Sequence, residues 1–360
     1  MYGCSRYSGR HSSQIWIIVF FCRNDIKVEP IPLIITGIIV ALFFDFVNGF
    51  HDAANAIATV VGTRVLKPIQ AVGMAALANF IGPFVFGTAI AATVGKGIIQ
   101  PNFSTAEVIL AGLVGAIIWD LITWYFGLPS SSSHALIGGL IGSALVFGGF
   151  EAIVFGGVQK VLTFLVVSPV LGFVIALAFG ILLIYFLKKY HPGKINRVFG
   201  KLQIASSAFF SLTHGANDGQ KTMGVITALL ISGGFLDAEN FEVPIWVILS
   251  ASIAIAFGTF LGGWRIVKTM AFRITELKPY QGFCAETGGG VILTAMAWLG
   301  IPVSTTHAIA GAIMGVGTTR RLSAVRWGIG KKIIYAWIIT IPASAGISAL
   351  VLLLFKLLGL

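Results

Sequence analysis

The sequence predicts an all-α polytopic membrane protein built from two inverted-topology repeats with broken helices and opposed helical hairpins. Three observations carry that prediction: long apolar runs, loop charges that alternate along the chain, and a hairpin motif that occurs twice. Of 360 residues, 57% are hydrophobic and only 10% are charged, where a soluble globular chain carries about 25% charged residues. Val161 to Leu187 is almost wholly apolar, and a helix needs about 20 such residues to cross a bilayer.

The net charge of +11 does not point to a nucleic-acid partner. The basic residues sit in loops between apolar runs, where Lys and Arg fix the orientation of membrane segments. Cys4, Cys22 and Cys284 show no paired spacing, so neither a disulfide framework nor a zinc site is expected. Residues 1–30 read as an N-terminal extension without an assigned role. Ile15 to Cys22 is apolar but too short to span, and no convincing cleavage site follows it.

Loop charge then orients each segment. The loops holding Arg64 and Lys67, Lys188 to Lys201, Arg265 to Lys278, and Arg320 to Lys332 are basic, which places them in the cytoplasm. The loop with Asp237, Glu239 and Glu242 is acidic, and Lys96 to Glu107 and Glu151 to Lys160 are nearly neutral, so these lie outside. Ile31 to Val60 therefore runs inward and Ala71 to Val94 outward. Glu107 to Gly127 and Leu128 to Gly148 form a hairpin that begins and ends outside, and Val161 to Leu187 crosses inward. After a basic linker, 188–201, the order repeats with opposite sense. Leu202 to Ser232 runs outward and Pro244 to Trp264 inward. Tyr280 to Leu299 and Ile301 to Gly317 form a hairpin that begins and ends inside, and Ile333 to Leu354 leaves outward. The domain division is thus 31–187 and 202–360, joined by the linker.

The duplication is also written in the residues. Gly127-Leu-Pro-Ser-Ser-Ser-Ser-His134-Ala-Leu-Ile-Gly138 matches Gly300-Ile-Pro-Val-Ser-Thr-Thr-His307-Ala-Ile-Ala-Gly311. A weaker match relates Asn48-Gly49 and Asp52 to His214-Gly215 and Asp218. Two related halves of opposite orientation are a transporter pattern, with the binding site near the midplane between them.

Polar residues inside the apolar segments mark that site. A charge at the centre of a membrane helix costs about 2.5–3.5 kcal/mol on insertion scales. Even so, Asp45, Asn48, His51, Asp52 and Asn55 fall in one segment, and Thr213, His214, Asn217, Asp218, Gln220 and Lys221 in its counterpart. Asp45, Asn48 and Asp52 are spaced to share one helix face. Asn48-Gly49 is expected to loosen the helix there. Carboxylate and amide oxygens, with carbonyls released at a helix break, are the ligands a sodium ion takes. His51 and His214 are not assigned as ion ligands.

The hairpins supply complementary chemistry. In each, a Gly-x-Pro element precedes hydroxyl residues: Ser130, Ser131, Ser132 and Ser133, then Ser304, Thr305 and Thr306. Proline can open a new helix, with Ser or Thr as its cap. The N–H groups of that helix start, with hydroxyl donors, make an anion site. Asp45, Asp52 and Asp218 bring three negative charges to one place, Glu286 is a candidate fourth, and Lys221 offsets one. A divalent oxyanion would be repelled unless sodium ions or protons bind with it. Each ligand then raises the affinity for the other, which is the thermodynamics of symport.

At these residues the chain closely resembles the inorganic phosphate transporter family of sodium- or proton-coupled symporters. The carriers are Asp45-Phe-Val-Asn-Gly-Phe-His-Asp52-Ala-Ala-Asn55, His214-Gly-Ala-Asn217-Asp218-Gly-Gln220-Lys221, and the two Pro-x-Ser-x-x-His hairpins. The resemblance runs from Pro32 to the C-terminus. It implies phosphate between the hairpins, held by Ser131, Ser132, Ser133, Ser304, Thr305 and Thr306. It implies sodium, as a transported ion and not a cofactor, against Asp45, Asn48, Asp52, Asn55, Asn217 and Asp218. Gln220 belongs with the cation group by motif and is also assigned to the phosphate. Glu286 and Lys221 are candidates for coupling. A homodimer in the plasma (inner) membrane is expected, with no enzymatic activity. Where family members can carry an acid after the first basic loop, this chain has Asn79. Glu286 could alternatively pair with a Lys or Arg at the membrane edge, and Asp120, just before the first hairpin's turn, is a similar candidate.

Rival functions of the same residues are a proton-coupled phosphate symporter, a sulfate symporter of the same fold, an ion channel and a membrane-embedded enzyme. Phosphate at neutral pH can donate a hydrogen bond and sulfate cannot, so a carboxylate facing the anion favours phosphate. A channel needs a weak multi-ion path, unlike a closed acidic cluster. The Ser and His of each hairpin lack a third orienting group for catalysis.

Overall fold

A computed structural model describes residues 30–237 and 239–359. The expected N-terminal extension, with Cys4 and Cys22, lies outside the described residues apart from Pro30. The rest folds into twelve α-helices whose order is the same in each half. The first half holds a long helix, α1 (Ile31–Gly62), and a broken pair, α2 (Pro68–Phe86) and α3 (Ala89–Gly97). The hairpin arms α4 (Ala106–Phe126) and α5 (Ser132–Gly148) follow, then a closing long helix, α6 (Phe155–Leu187). The second half repeats this with α7 (Pro192–Ser232), the pair α8 (Ile245–Leu261) and α9 (Trp264–Phe272), the arms α10 (Pro279–Trp298) and α11 (Thr305–Thr318), and α12 (Trp327–Leu358).

Among the described residues, six helices are long and apolar enough to cross a membrane, with α8 and α9 as a seventh, bent span. The outward faces fit this: Phe43, Leu77, Tyr125, Leu182, Phe257 and Leu353 are exposed, as side chains facing lipid would be. The protein is a multi-pass integral membrane protein.

The halves interlock rather than sit side by side. The closing helix of each half packs on the hairpin of the other: α6 against α10 and α11, and α12 against α4 and α5. Small residues permit it. A Gly-x-x-x-Gly pair recurs at the same place in both hairpins, Gly138 and Gly142 on α5, Gly311 and Gly315 on α11. A methyl group at Gly142 would lie 2.1 Å from the Ala345 carbonyl oxygen, and one at Gly315 2.1 Å from that of Phe173. With no hydrophobic drive between helices in lipid, such backbone contact is what holds them. The opening helices cross as well. Gly37 meets Leu229 near one end, and Ser207 donates to the Ala56 carbonyl (3.0 Å) further along, so α1 and α7 run antiparallel.

Three sequence expectations need correction. Asn48-Gly49 does not loosen α1, which is helical from Ile31 to Gly62. Gly49 instead lets the Ile255 carbonyl of α8 approach to 2.2 Å of where a Cβ would stand. The breaks fall one helix later. Ala71 to Val94, read as one segment, is interrupted at Gly87, whose φ of +74° is a left-handed conformation suited to glycine. Pro244 to Trp264 matches α8, and a second break follows at its end, where Gly262, at φ +71°, opens a 66° bend to α9. Finally, most of the linker 188–201 is the start of α7, helical from Pro192 onward.

Candidate functional site

The hairpin turns are built the same way twice. Gly127 and Gly300 end α4 and follow α10 with φ near +60° (64° and 61°), a conformation that costs other residues free energy. Pro129 and Pro302 hold the residue before each out of the helical region, Ser131 and Ser304 are extended, and α5 and α11 begin at Ser132 and Thr305. Ser131 and Ser304 are the caps: their hydroxyls accept from the His134 and His307 amides at 3.3 and 3.2 Å. Capping thus engages the hydroxyl of two expected phosphate contacts, as N-caps do.

The next hydroxyls point at the acidic cluster. Ser132 donates to Asn48 Oδ1 at 2.5 Å and Asp52 Oδ2 at 3.0 Å, and Thr305 donates to Asp218 Oδ2 at 2.9 Å. Asn55 Nδ2 donates to Thr306 Oγ1 (2.9 Å) and Thr305 Oγ1 (3.2 Å), while Lys221 Nζ donates to Ser133 Oγ. The two helix starts and the two Asp-bearing helices therefore meet in one network. All these side chains are buried, none more than 4% exposed.

Within the network the acids are unequally supported. Asp218 is held by Lys221 Nζ and lies 3.1 Å from His214 Nε2. Asp52 Oδ1 accepts from His51 Nδ1 at 2.7 Å, and the far nitrogen of that ring faces Thr123 and Ser130 at 3.1 and 3.2 Å. Asp45 meets Asn48 Nδ2 only distantly, at 3.4 Å, and its Oδ2 has no donor. Asn55 Oδ1 and Asn217 Oδ1 also lack donors. Buried oxygens without donors are costly and suit a cation that supplies positive charge instead.

The sequence alone does not assign His214 as an ion ligand, yet its ring, Asp52 and Asp218 offer ligand atoms within 4.8 Å of one another. Its other nitrogen faces Asn79 Oδ1 at 3.2 Å, and Asn79 Nδ2 donates to Thr259. The residue standing where an acid was expected thus orients a histidine of the cluster. Asn217 neighbours Asp218 in the chain, but its amide donates to the Thr213 and Leu293 carbonyls, which lie outside the cluster.

Two candidates have partners beyond this network. Gln220 Oε1 accepts from the Ile90 amide at 2.9 Å, pinning the first turn of α3, and its buried Nε2 has no partner. Glu286 is buried and receives hydrogen bonds from Thr59 (2.5 Å), Gln203 (3.1 Å) and Ser206. No Lys or Arg is among these partners, which corrects the edge-pairing reading. Thr59 lies seven residues beyond Asp52 on α1, about 10 Å along the helix, so Glu286 forms a second polar layer. Asp120 is also fully buried, and neither carboxylate oxygen has a donor.

A buried acidic cluster met by two helix starts, inside a bundle of membrane-crossing helices, defines a solute transporter. The profile of the phosphate transporter family matches residues 48–195 and 187–348, and the chain belongs to that family. Similar proteins in Rhizobium meliloti (55% identical, covering 89% of this chain and 95% of that one) and Bacillus subtilis (43%, covering 89% and 97%) carry the name "Probable low-affinity inorganic phosphate transporter". These relatives are named as transporters, not enzymes. A solved structure described as the sodium-dependent phosphate transporter is 27% identical and superposes with a TM-score of 0.80 over 91% of this chain and 99% of its own.

Proposed function

We propose that this chain is a secondary transporter that carries inorganic phosphate together with sodium by alternating access. One observation carries the reading: Ser132 and Thr305, each at the start of a hairpin helix, donate to Asp52 and Asp218. Donors suited to an oxyanion and carboxylates suited to a cation thus share one sealed cluster. Phosphate arriving alone would meet Asp45, Asp52 and Asp218 against a single lysine, and close like charges in a poorly screened site repel strongly. With sodium bound against Asp45, Asn48, Asp52, Asn55 and Asn217, the same carboxylates become acceptors for a protonated phosphate oxygen. Ser132, Ser133, Thr305 and Thr306 would hold its other oxygens, and Ser131 and Ser304 keep the helix starts in place. The name of the similar solved structure supports sodium as the coupled ion.

The repeated element order and the antiparallel α1 and α7 support an inverted repeat, 31–187 against 202–360, with the cargo between the halves. The proposal includes a homodimer in the plasma (inner) membrane. A proton-coupled variant is favoured by one feature: Glu286 has only neutral partners, so it can be carried as the acid.

Labelled phosphate uptake into proteoliposomes tests the proposal, with sodium and pH gradients imposed separately and sulfate as competitor. Saturable uptake driven by inward sodium, and little affected by sulfate, is expected. Uptake indifferent to both gradients would overturn it.

A further inference from the structure

Asn55 and Lys221 stand at equivalent positions of the two halves, and only one of them carries a charge. The register that aligns Asn48-Gly49 with His214-Gly215 and Asp52 with Asp218 also aligns Asn55 with Lys221. Their partners correspond too. Asn55 Nδ2 donates to Thr306 of the second hairpin, and Lys221 Nζ to Ser133 of the first. Thr306 and Ser133 each directly precede the hairpin histidine. Each half's aspartate, in turn, receives the hydroxyl of its own hairpin, Ser132 on Asp52 and Thr305 on Asp218.

The correspondence fails at the cation. Beside Asp52, the buried Asn55 Oδ1 has no donor. Beside Asp218, the Lys221 ammonium donates to Asp218 Oδ1, Ser133 Oγ and the Val303 carbonyl, the last at 3.0 Å. Carboxylate, hydroxyl and carbonyl oxygens are the set a hard monovalent or divalent cation takes. An ammonium with three hydrogens satisfies the same three acceptors. Lys221 is buried and its three protons are all accounted for, so it is placed as a cation rather than as a lining residue.

We propose that the Lys221 ammonium is a tethered cation standing where the second half would otherwise bind a mobile one. The transport cycle therefore takes up one cation fewer than two matched sites would require. The first-half site, around Asp52 and Asn55, keeps the exchangeable ion. This rests on the reading above that the Asp and Asn cluster holds cations, and it adds the count.

The test is equilibrium binding of radioactive sodium to the purified protein in saturating phosphate, for the wild type, Lys221→Asn and Lys221→Arg. Lys221→Asn restores the residue found at position 55 and should bind one more sodium per chain than the wild type. In proteoliposomes it should show a steeper sodium dependence of phosphate uptake. Lys221→Arg keeps a fixed charge and should keep the wild-type count. Should Lys221→Asn be lost on purification, Lys221→Gln gives the same comparison with a longer amide. An equal sodium count in the wild type and the neutral variant would overturn the proposal. A wild type that takes up no phosphate under any gradient would instead count against the function proposed above, because the binding comparison is read without transport.

Discussion

The Ser132 hydroxyl donates to Asp52 Oδ2 at 3.0 Å, joining the start of a hairpin helix to the middle of α1. The same contact recurs between Thr305 and Asp218 at 2.9 Å. A hydroxyl that donates to a carboxylate in this state can turn to an anion once a cation satisfies the carboxylate. The bond thus links the occupancy of one ligand to the affinity for the other, which is the form a coupling free energy takes.

Removing those hydroxyls should weaken the anion first. Ser132→Ala with Thr305→Ala removes two hydrogen bonds to a charged partner, each worth about 1.5–3 kcal/mol. The half-saturation for phosphate should rise roughly 100-fold or more on that basis, with a smaller change for sodium. Uptake kinetics at varied phosphate and varied sodium separate the two effects, and an unaltered phosphate affinity would take the hairpins out of the site.

The interlock between halves rests on glycine. A side chain at Gly315 would enter the space of the Phe173 carbonyl, and one at Gly311 that of Pro169. Overpacking of this kind costs about 1–3 kcal/mol. Gly315→Val should lower the thermal midpoint of the purified protein clearly, whereas Gly346→Val, with open space beside it, should leave it nearly unchanged. Equal midpoints would contradict the close packing of α6 on α11.

Glu286 separates structural from coupling roles. Glu286→Ala leaves the Thr59 and Ser206 hydroxyls and the Gln203 amide without their acceptor, a loss of about 1–3 kcal/mol. Glu286→Gln keeps the shape and an acceptor oxygen and should melt close to the wild type. If Glu286 carries a proton, this second variant loses uptake driven by a pH gradient while retaining uptake driven by sodium. Undiminished pH-driven uptake in Glu286→Gln would exclude that role.

Orientation is tested by single cysteines in a background lacking Cys284 and the two N-terminal cysteines. A cysteine replacing Glu239 should react with an impermeant reagent from outside, and one replacing Arg273 only from inside. Both reacting from the same side would refute the inverted repeat.

Much of this was legible in the sequence because the chemistry is local. Pro-x-Ser-x-x-His fixes a helix start within a few residues, and Asp45, Asn48 and Asp52 share a face through helical spacing alone. The hairpin bounds therefore came out close to α4, α5, α10 and α11. What stayed hidden depends on partners distant in the chain. Gln220 is placed by motif alone, and its bond to the Ile90 amide comes from 130 residues away, beyond a break that hydropathy does not register. Glu286 draws its donors from positions 59, 203 and 206, a pattern invisible before α1, α7 and α10 are packed together. The bend at Gly87 interrupts a run that stays apolar on both sides, so glycine is the only signal there, whereas Gly262 falls just before Arg265 and Lys268 end the apolar run. The basic stretch 188–201 looked like a loop because its charges mark the membrane edge, although Pro192 is a good first residue for a helix.

The most direct test of the account is sodium-driven phosphate uptake by Asp52→Asn in proteoliposomes, beside the wild type. The substitution preserves size but removes the charge and turns one acceptor oxygen, of the two that receive bonds from His51 and Ser132, into an NH2 donor; bonds to charged groups are worth about 1.5–3 kcal/mol. The half-saturation for sodium should rise roughly 10- to 100-fold on that scale, with the protein still folded and inserted. A variant that transports phosphate with unchanged sodium dependence would contradict the claim that this carboxylate couples the two ions.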